Sequence, residues 1–135
     1  MSISGGTGRA SRPDERECAM LIAHLLATKQ DEVAREVNRA RLSELTLRRL
    51  FRRQRILPDF LAEVQEWLFR AGWVLFFAGT TYAVVNIKVI DGWGRVSSKR
   101  IGKDLNQVAR GQFKFEKLEK LLLASGADVE AAEEE

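Results

Sequence analysis

Residues 71–90, AGWVLFFAGTTYAVVNIKVI, decide the architecture. Aromatic and β-branched residues fill both sides of Ala78-Gly79, a composition that favours extended strands around a tight turn. The stretch therefore predicts an antiparallel hairpin with arms Trp73–Phe77 and Thr80–Ile90, closed off by Asp91-Gly92. From Ala71 to Ile87 the only ionisable side chain is that of Tyr82, but these seventeen residues fall short of the ~20 that a spanning helix needs. Gly72, Gly79, Thr80, Thr81 and Asn86 also interrupt the run, so a hairpin accounts for it better than a membrane segment.

Working back from the hairpin, Pro58 opens a helix that ends at Gly72, with Phe60, Leu61, Val64, Trp67, Leu68 and Ala71 on one stripe. The stretch before it, LSELTLRRLFRRQR (42–55), predicts another helix, capped by the Ser43 hydroxyl. A short helix is expected over Asp31–Asn38, with Asp31 four residues before Arg35, followed by a turn at Arg39-Ala40-Arg41. Pro13, Asp14 and Glu15 begin the first helix, which carries Cys18, Leu21, Ile22 and Leu25 on one face and leaves His24 to the side. Residues 1–12 are Gly/Ser-rich and read as a flexible leader. Their GGTG follows no strand and lacks the Lys-Ser/Thr ending of a phosphate loop. Beyond the hairpin, Trp93–Lys103 reads as a basic loop with room for a short strand. A last amphipathic helix is expected over Phe113–Ala124, and an acidic disordered tail over 126–135. The expectation is thus one α+β domain over 13–125, mainly helical, with a hairpin toward its C-terminal side and a terminal helix.

The length of 135 residues suits one such domain, and 45% apolar with 30% charged residues is an ordinary globular balance. A single cysteine and a single histidine leave no disulfide and no ligand set for structural zinc, so no metal or cofactor is expected. The N-terminus lacks the apolar core of a signal peptide, which points to a cytoplasmic protein. The formal charge is +3, yet five acids lie in the last eight residues, so residues 1–127 carry +8. Fifteen of the 22 basic residues are arginine, whose planar fork suits phosphates and guanine edges.

On a helix over 42–55, Leu47, Leu50 and Phe51 fall on one side, while Arg48, Arg49, Arg52, Arg53 and Arg55 occupy an arc of about 160° on the other. The apolar side can anchor the helix while the guanidinium groups meet phosphates and base edges, with Arg41, Ser43 and Thr46 adding contacts near its start. A solvated surface helix is the plain alternative. That alternative predicts acids interspersed among the bases, whereas Glu44 is the one acid between Arg39 and Arg55 against seven arginines. Lys88, Arg95, Lys99, Arg100 and Lys103 form a second basic group just beyond the hairpin, readable equally as a phosphate contact or as a solubilising loop.

DEVAREVN, a turn, and LSELTLRRLFRR resemble a helix-turn-helix, and the second half is similar to the recognition helix of AraC-type bacterial regulators. LPDFLAEVQEWLFRA resembles the supporting helix that follows there. This likeness implies that Ser43, Thr46, Arg48, Arg49, Arg52 and Arg53 face DNA. An AraC-type domain has no long hairpin, however. Three helices followed by a hairpin instead resemble the winged helix-turn-helix superfamily, which implies a β-wing and a reader just before it. That position is the helix Asp59–Arg70, whose outward Asp59, Glu63, Glu66 and Arg70 present a net negative face that phosphates would repel. The wing tip, Ala78–Thr81, has no cation for a groove.

The expected function is duplex DNA binding, sequence-specific or structure-specific, by a bacterial-type or phage-type transcriptional regulator or accessory factor associated with the nucleoid. Two alternatives stand beside it. One is a protein-interaction module or homodimer using Phe76, Phe77 and Tyr82 of the hairpin, or the C-terminal helix; the other is binding of structured RNA by the arginine helix. The acidic tail suggests competition with DNA for the basic face. No activated nucleophile or acid/base pair falls in a motif, so no enzyme is expected.

Overall fold

The computed structural model describes residues 11–123, which form two compact units, 11–92 and 93–123. The leader up to residue 10 and the acidic tail lie outside the described residues.

The first unit opens with α1, Glu15–Val33. Asp14 and Glu17 form a reciprocal capping box: the Asp14 carboxylate accepts from the Glu17 N–H at 2.8 Å, and Glu17 accepts from the Asp14 N–H at 2.9 Å. The helix runs without a break through Asp31 and closes where Ala34 turns left-handed at φ 56°. The separate helix expected over Asp31–Asn38 is therefore absent: its first residues finish α1 and the rest connect to the sheet. The Gln30 side chain fixes that connection by accepting the Val37 N–H at 3.0 Å. DEVAREVN thus does not supply the first helix of an AraC-like pair.

The expected turn at Arg39–Arg41 is a strand, β1 (Arg39–Leu42). Next come α2 (Glu44–Phe51), α3 (Pro58–Arg70), β2 (Trp73–Phe77), β3 (Tyr82–Asn86) and the short α4 (Ile87–Asp91). The sheet is antiparallel in the order β1-β3-β2, with Arg41 opposite Ala83 and Ala83 opposite Phe76. Gly79, at φ +96°, makes the hairpin turn, and the Ala78 N–H closes it on the Thr81 carbonyl at 2.7 Å. The second arm ends sooner than expected, because the Asn86 side chain accepts the Lys88 N–H at 2.9 Å and starts α4.

Alternation sends Leu42, Tyr82, Val84 and Leu75 inward against Cys18, Ile22 and Leu26 of α1, Leu47 and Phe51 of α2, and Val64 and Leu68 of α3. Phe51 is the largest fully buried side chain, and its ring meets Phe60 edge-on at 5.6 Å. Gln65 donates to the Leu75 carbonyl at 2.8 Å, tying α3 to the outer edge of the sheet.

The second unit holds a 3-10 turn at Ser98–Ile101, α5 (Gly102–Ala109) and a 3-10 helix at Phe115–Leu122. The short strand anticipated before Lys103 is not formed, and α5 stands where none was expected. Among its described residues none is buried. Ile101, Leu105 and Val108 all stay exposed.

Candidate nucleic-acid interface

The arginine stretch folds differently from the single helix to Arg55 that its pattern suggests. Ser43 caps α2 as expected, its hydroxyl accepting the Thr46 N–H at 3.0 Å and donating to the Thr46 hydroxyl at 3.1 Å. The Ser43 hydroxyl is thereby occupied in the cap, and the Thr46 hydroxyl oxygen accepts from it. The helix then stops at Phe51, where Arg52 takes a left-handed conformation at φ 56°. The Arg52 N–H donates to the Arg49 carbonyl at 3.3 Å and the Arg53 N–H to the Arg48 carbonyl at 3.0 Å, the double bond pattern of a Schellman ending. Arg48 and Arg49 sit in the last turn and Arg52 at the cap, where cations complement the negative end of the helix dipole. Part of the arginine excess thus has a local structural use, and the continuous 160° arc is replaced by a helix face and a separate connection.

The individual side chains divide accordingly. Arg48 is half-buried and pairs with Glu44, Nε to carboxylate at 3.7 Å. Arg53 is half-buried as well and turns inward. Its Nη1 donates to the carbonyls of Pro13 at 2.8 Å and Phe51 at 2.9 Å, and its guanidinium lies 4.0 Å over the Phe60 ring. It locks the start of α1 to the α2–α3 connection, so Arg53 is half-buried with its Nη1 edge turned into the protein, where a fully outward side chain was expected. Arg49, Arg52 and Arg55 are exposed.

On β1, Arg41 is exposed and shares the outer sheet face with Arg39, because residues two apart in a strand point the same way. Arg39 is a candidate that the helical reading passed over; the alternation Arg-Ala-Arg was its signal. Lys88 is exposed on α4. In the second unit Arg95, Lys99, Arg100 and Lys103 are all exposed. Residues 93–123 carry eight cations against Asp104, Glu116 and Glu119.

The outward side of α3 is as acidic as its sequence implied, with Asp59, Glu63 and Glu66 exposed beside Arg70. Phe69, Phe76 and Phe77 are also exposed, at 60%, 42% and 53%, so three aromatic rings on α3 and β2 reach solvent. Tyr82, expected with Phe76 and Phe77 on the docking side, is instead buried, its ring 4.9 Å from that of Phe77. Burial raises its hydroxyl pKa, with the Glu44 carboxylate adding to the effect.

Cys18 is wholly buried, and burial pushes its thiol up to about 11 despite the nearby Arg53 guanidinium. A thiol held protonated this way is a poor nucleophile. Among the described residues no group of three or more His, Cys, Asp or Glu side chains could hold a metal ion, and no helix is long and apolar enough to cross a membrane. No protein-family model, curated protein or solved structure matches this chain.

Proposed function

We propose that the chain binds duplex DNA, chiefly through its phosphates, on a winged helix-turn-helix scaffold. The observation that carries the proposal is the separation of charge. Seven arginines face one acid between Arg39 and Arg55, while α3 presents three acids to solvent. The scaffold reading is supported by the succession α1-β1-α2-α3-β2-β3 and the sheet order β1-β3-β2. A backbone-tracking mode follows from the early end of α2. An eight-residue helix with the Ser43 hydroxyl engaged in the cap and the Nη1 edge of Arg53 turned inward offers few groups to base edges, whereas Arg39, Arg41, Arg52 and Arg55 offer guanidinium groups to phosphates. The exposed cations of residues 93–123 add to the same affinity. Regulation of transcription and a place on the nucleoid are roles consistent with such binding. A mobility-shift titration with a short synthetic duplex, competed by duplex RNA and by unrelated DNA, tests it. Retarded duplex and weak discrimination among DNA sequences are expected; no shift at low salt would remove the proposal.

A second reading, a protein-docking module on the same scaffold, is favoured by exposed Phe69, Phe76 and Phe77 beside an acidic helix. It predicts that Phe76→Ser/Phe77→Ser abolishes self-association or partner capture and leaves duplex affinity unchanged. A monomer by light scattering with no captured partner would count against it.

A further inference from the structure

Arg12, Arg53, Gln54, Arg55, Leu57 and Phe60 enclose a cleft of about 470 Å³ at the joint between the α2–α3 connection and the first turn of α3. Among the described residues three guanidinium groups line it and no carboxylate does. Of the acids nearest to Arg12 along the chain, Asp14 is engaged with Glu17 in the capping box of α1, and Glu15 lies in the first turn of α1 without lining the cleft. Asp59 is exposed in the first turn of α3 but does not line the cleft. Concentrating like charges around one volume is unfavourable until an anion enters, since each guanidinium repels the others across a partly desolvated space.

Arg53 adds a geometric reason. All of its hydrogen bonds to described residues are made by Nη1, which leaves the Nε and Nη2 donors on its other edge. That edge is the pair of parallel N–H groups that grips two oxygens of a phosphate at once. Because Nη1 is anchored on two carbonyls and the plane is stacked on Phe60, little freedom is given up when a ligand binds. The helix that begins here has no side-chain cap at Leu57, so the positive end of its dipole adds attraction for an anion, although Pro58 contributes no N–H. The cleft is of the size that holds a small organic ligand rather than a bare ion. Leu57, 55% exposed, and Phe60 supply an apolar wall beside the charges.

We propose that this cleft is a phosphate-binding site that seats one nucleotide phosphate of a DNA strand, with the attached sugar against Leu57 and Phe60. The proposal rests on the reading of the chain as a DNA-binding protein and names a specific seat within that interface. A free nucleotide presents the same chemistry, so the two sources are separated by experiment.

The full chain is titrated with a fluorescent duplex and, separately, with inorganic phosphate and a nucleoside monophosphate, while the Arg53 Nε–H resonance is followed by NMR. The variants are Arg12→Gln/Arg55→Gln, whose side chains leave the core intact, and Arg53→Lys to assign the resonance. The expected result is a drop in duplex affinity of about tenfold in Arg12→Gln/Arg55→Gln and a salt slope shallower by about 1, near the 0.9 of the one phosphate that is no longer neutralised. The Arg53 Nε–H resonance should move when duplex is added to the unmodified chain. Duplex binding with unchanged affinity in the double variant and a stationary Arg53 resonance would overturn the cleft and leave the DNA-binding reading standing. A chain that ignores duplex but whose Arg53 resonance moves with the mononucleotide, an effect abolished in the double variant, would support the phosphate site and reject DNA as its source. No response to any of the three ligands would overturn both.

Discussion

Arg53 shows how one side chain of a basic run can be drawn partly into the structure. Its Nη1 bonds join Pro13 to Phe51, and its plane covers Phe60, so it serves the core as a polar clasp. Two hydrogen bonds from a charged donor and a stacked ring lead us to expect that Arg53→Ala lowers unfolding free energy by about 2 kcal/mol in urea titrations. Arg55→Ala, an exposed position, should change it by less than about 0.5 kcal/mol. Equal costs at the two positions would contradict the clasp. The neighbouring Cys18 makes a separate prediction. Its thiol has an ordinary value of 9.0 when unfolded and about 11 when folded, so the native state holds its proton more tightly. The resulting stabilisation is fully present below pH 9 and is lost as pH rises from 9 through 11. Urea midpoints should therefore fall over that window in the unmodified chain and fall less in Cys18→Ala. A thiol reagent at pH 8 should react only at the rate of global unfolding.

At the scale of elements, α2 is defined by its two ends. The Ser43 cap was legible from the sequence because a serine immediately before an apolar periodic run has one ready use. The C-terminal end was not, because the signal is a left-handed residue and here that residue is Arg52 rather than glycine. Replacing it tests the point: Arg52→Gly should leave stability unchanged or raise it by up to about 1 kcal/mol by relieving the positive φ, yet weaken duplex binding. A clear fall in stability would mean that the arginine side chain, not the backbone geometry, secures the helix end. β1 was hidden for a different reason. Arg39–Leu42 has little strand propensity of its own and is extended because β3 pairs with it residue for residue. The hairpin and the stripe of α3 carried their own periodicity and turn residues, so they could be read directly. α5 was obscured by the surrounding glycines and cations. Of the candidate interface, the basic character of Arg41, Arg49, Arg52 and Arg55 could be read, whereas the inward turn of Arg53 depends on a hydrogen bond to Pro13, forty residues away in the chain.

For the whole molecule, the buried residues lie between Cys18 and Val85, and no described residue after Gly92 is buried. The first unit should accordingly hold most of the cooperative stability. A chain ending at Gly92 should keep a single thermal transition, and a large drop in its midpoint would show that residues 93–135 complete the core. Phe51 is fully buried in that core, and Phe51→Ala should cost about 3–5 kcal/mol, a large share of the roughly 5–15 kcal/mol that holds an ordinary domain folded. The same architecture separates charge in a way that an enzyme or a neutral scaffold does not require, and in the proposed function this charge meets DNA phosphates. The salt dependence of duplex affinity, followed by fluorescence anisotropy from about 50 to about 200 mM salt, puts that to the test. The intact chain should give a log–log slope of about −5, and Arg39→Ala/Arg41→Ala/Arg52→Ala a slope of about −2, since three fewer phosphates are then neutralised. An intact chain whose duplex affinity is absent at low salt, or whose slope is unchanged by removing these arginines, would contradict DNA binding through them.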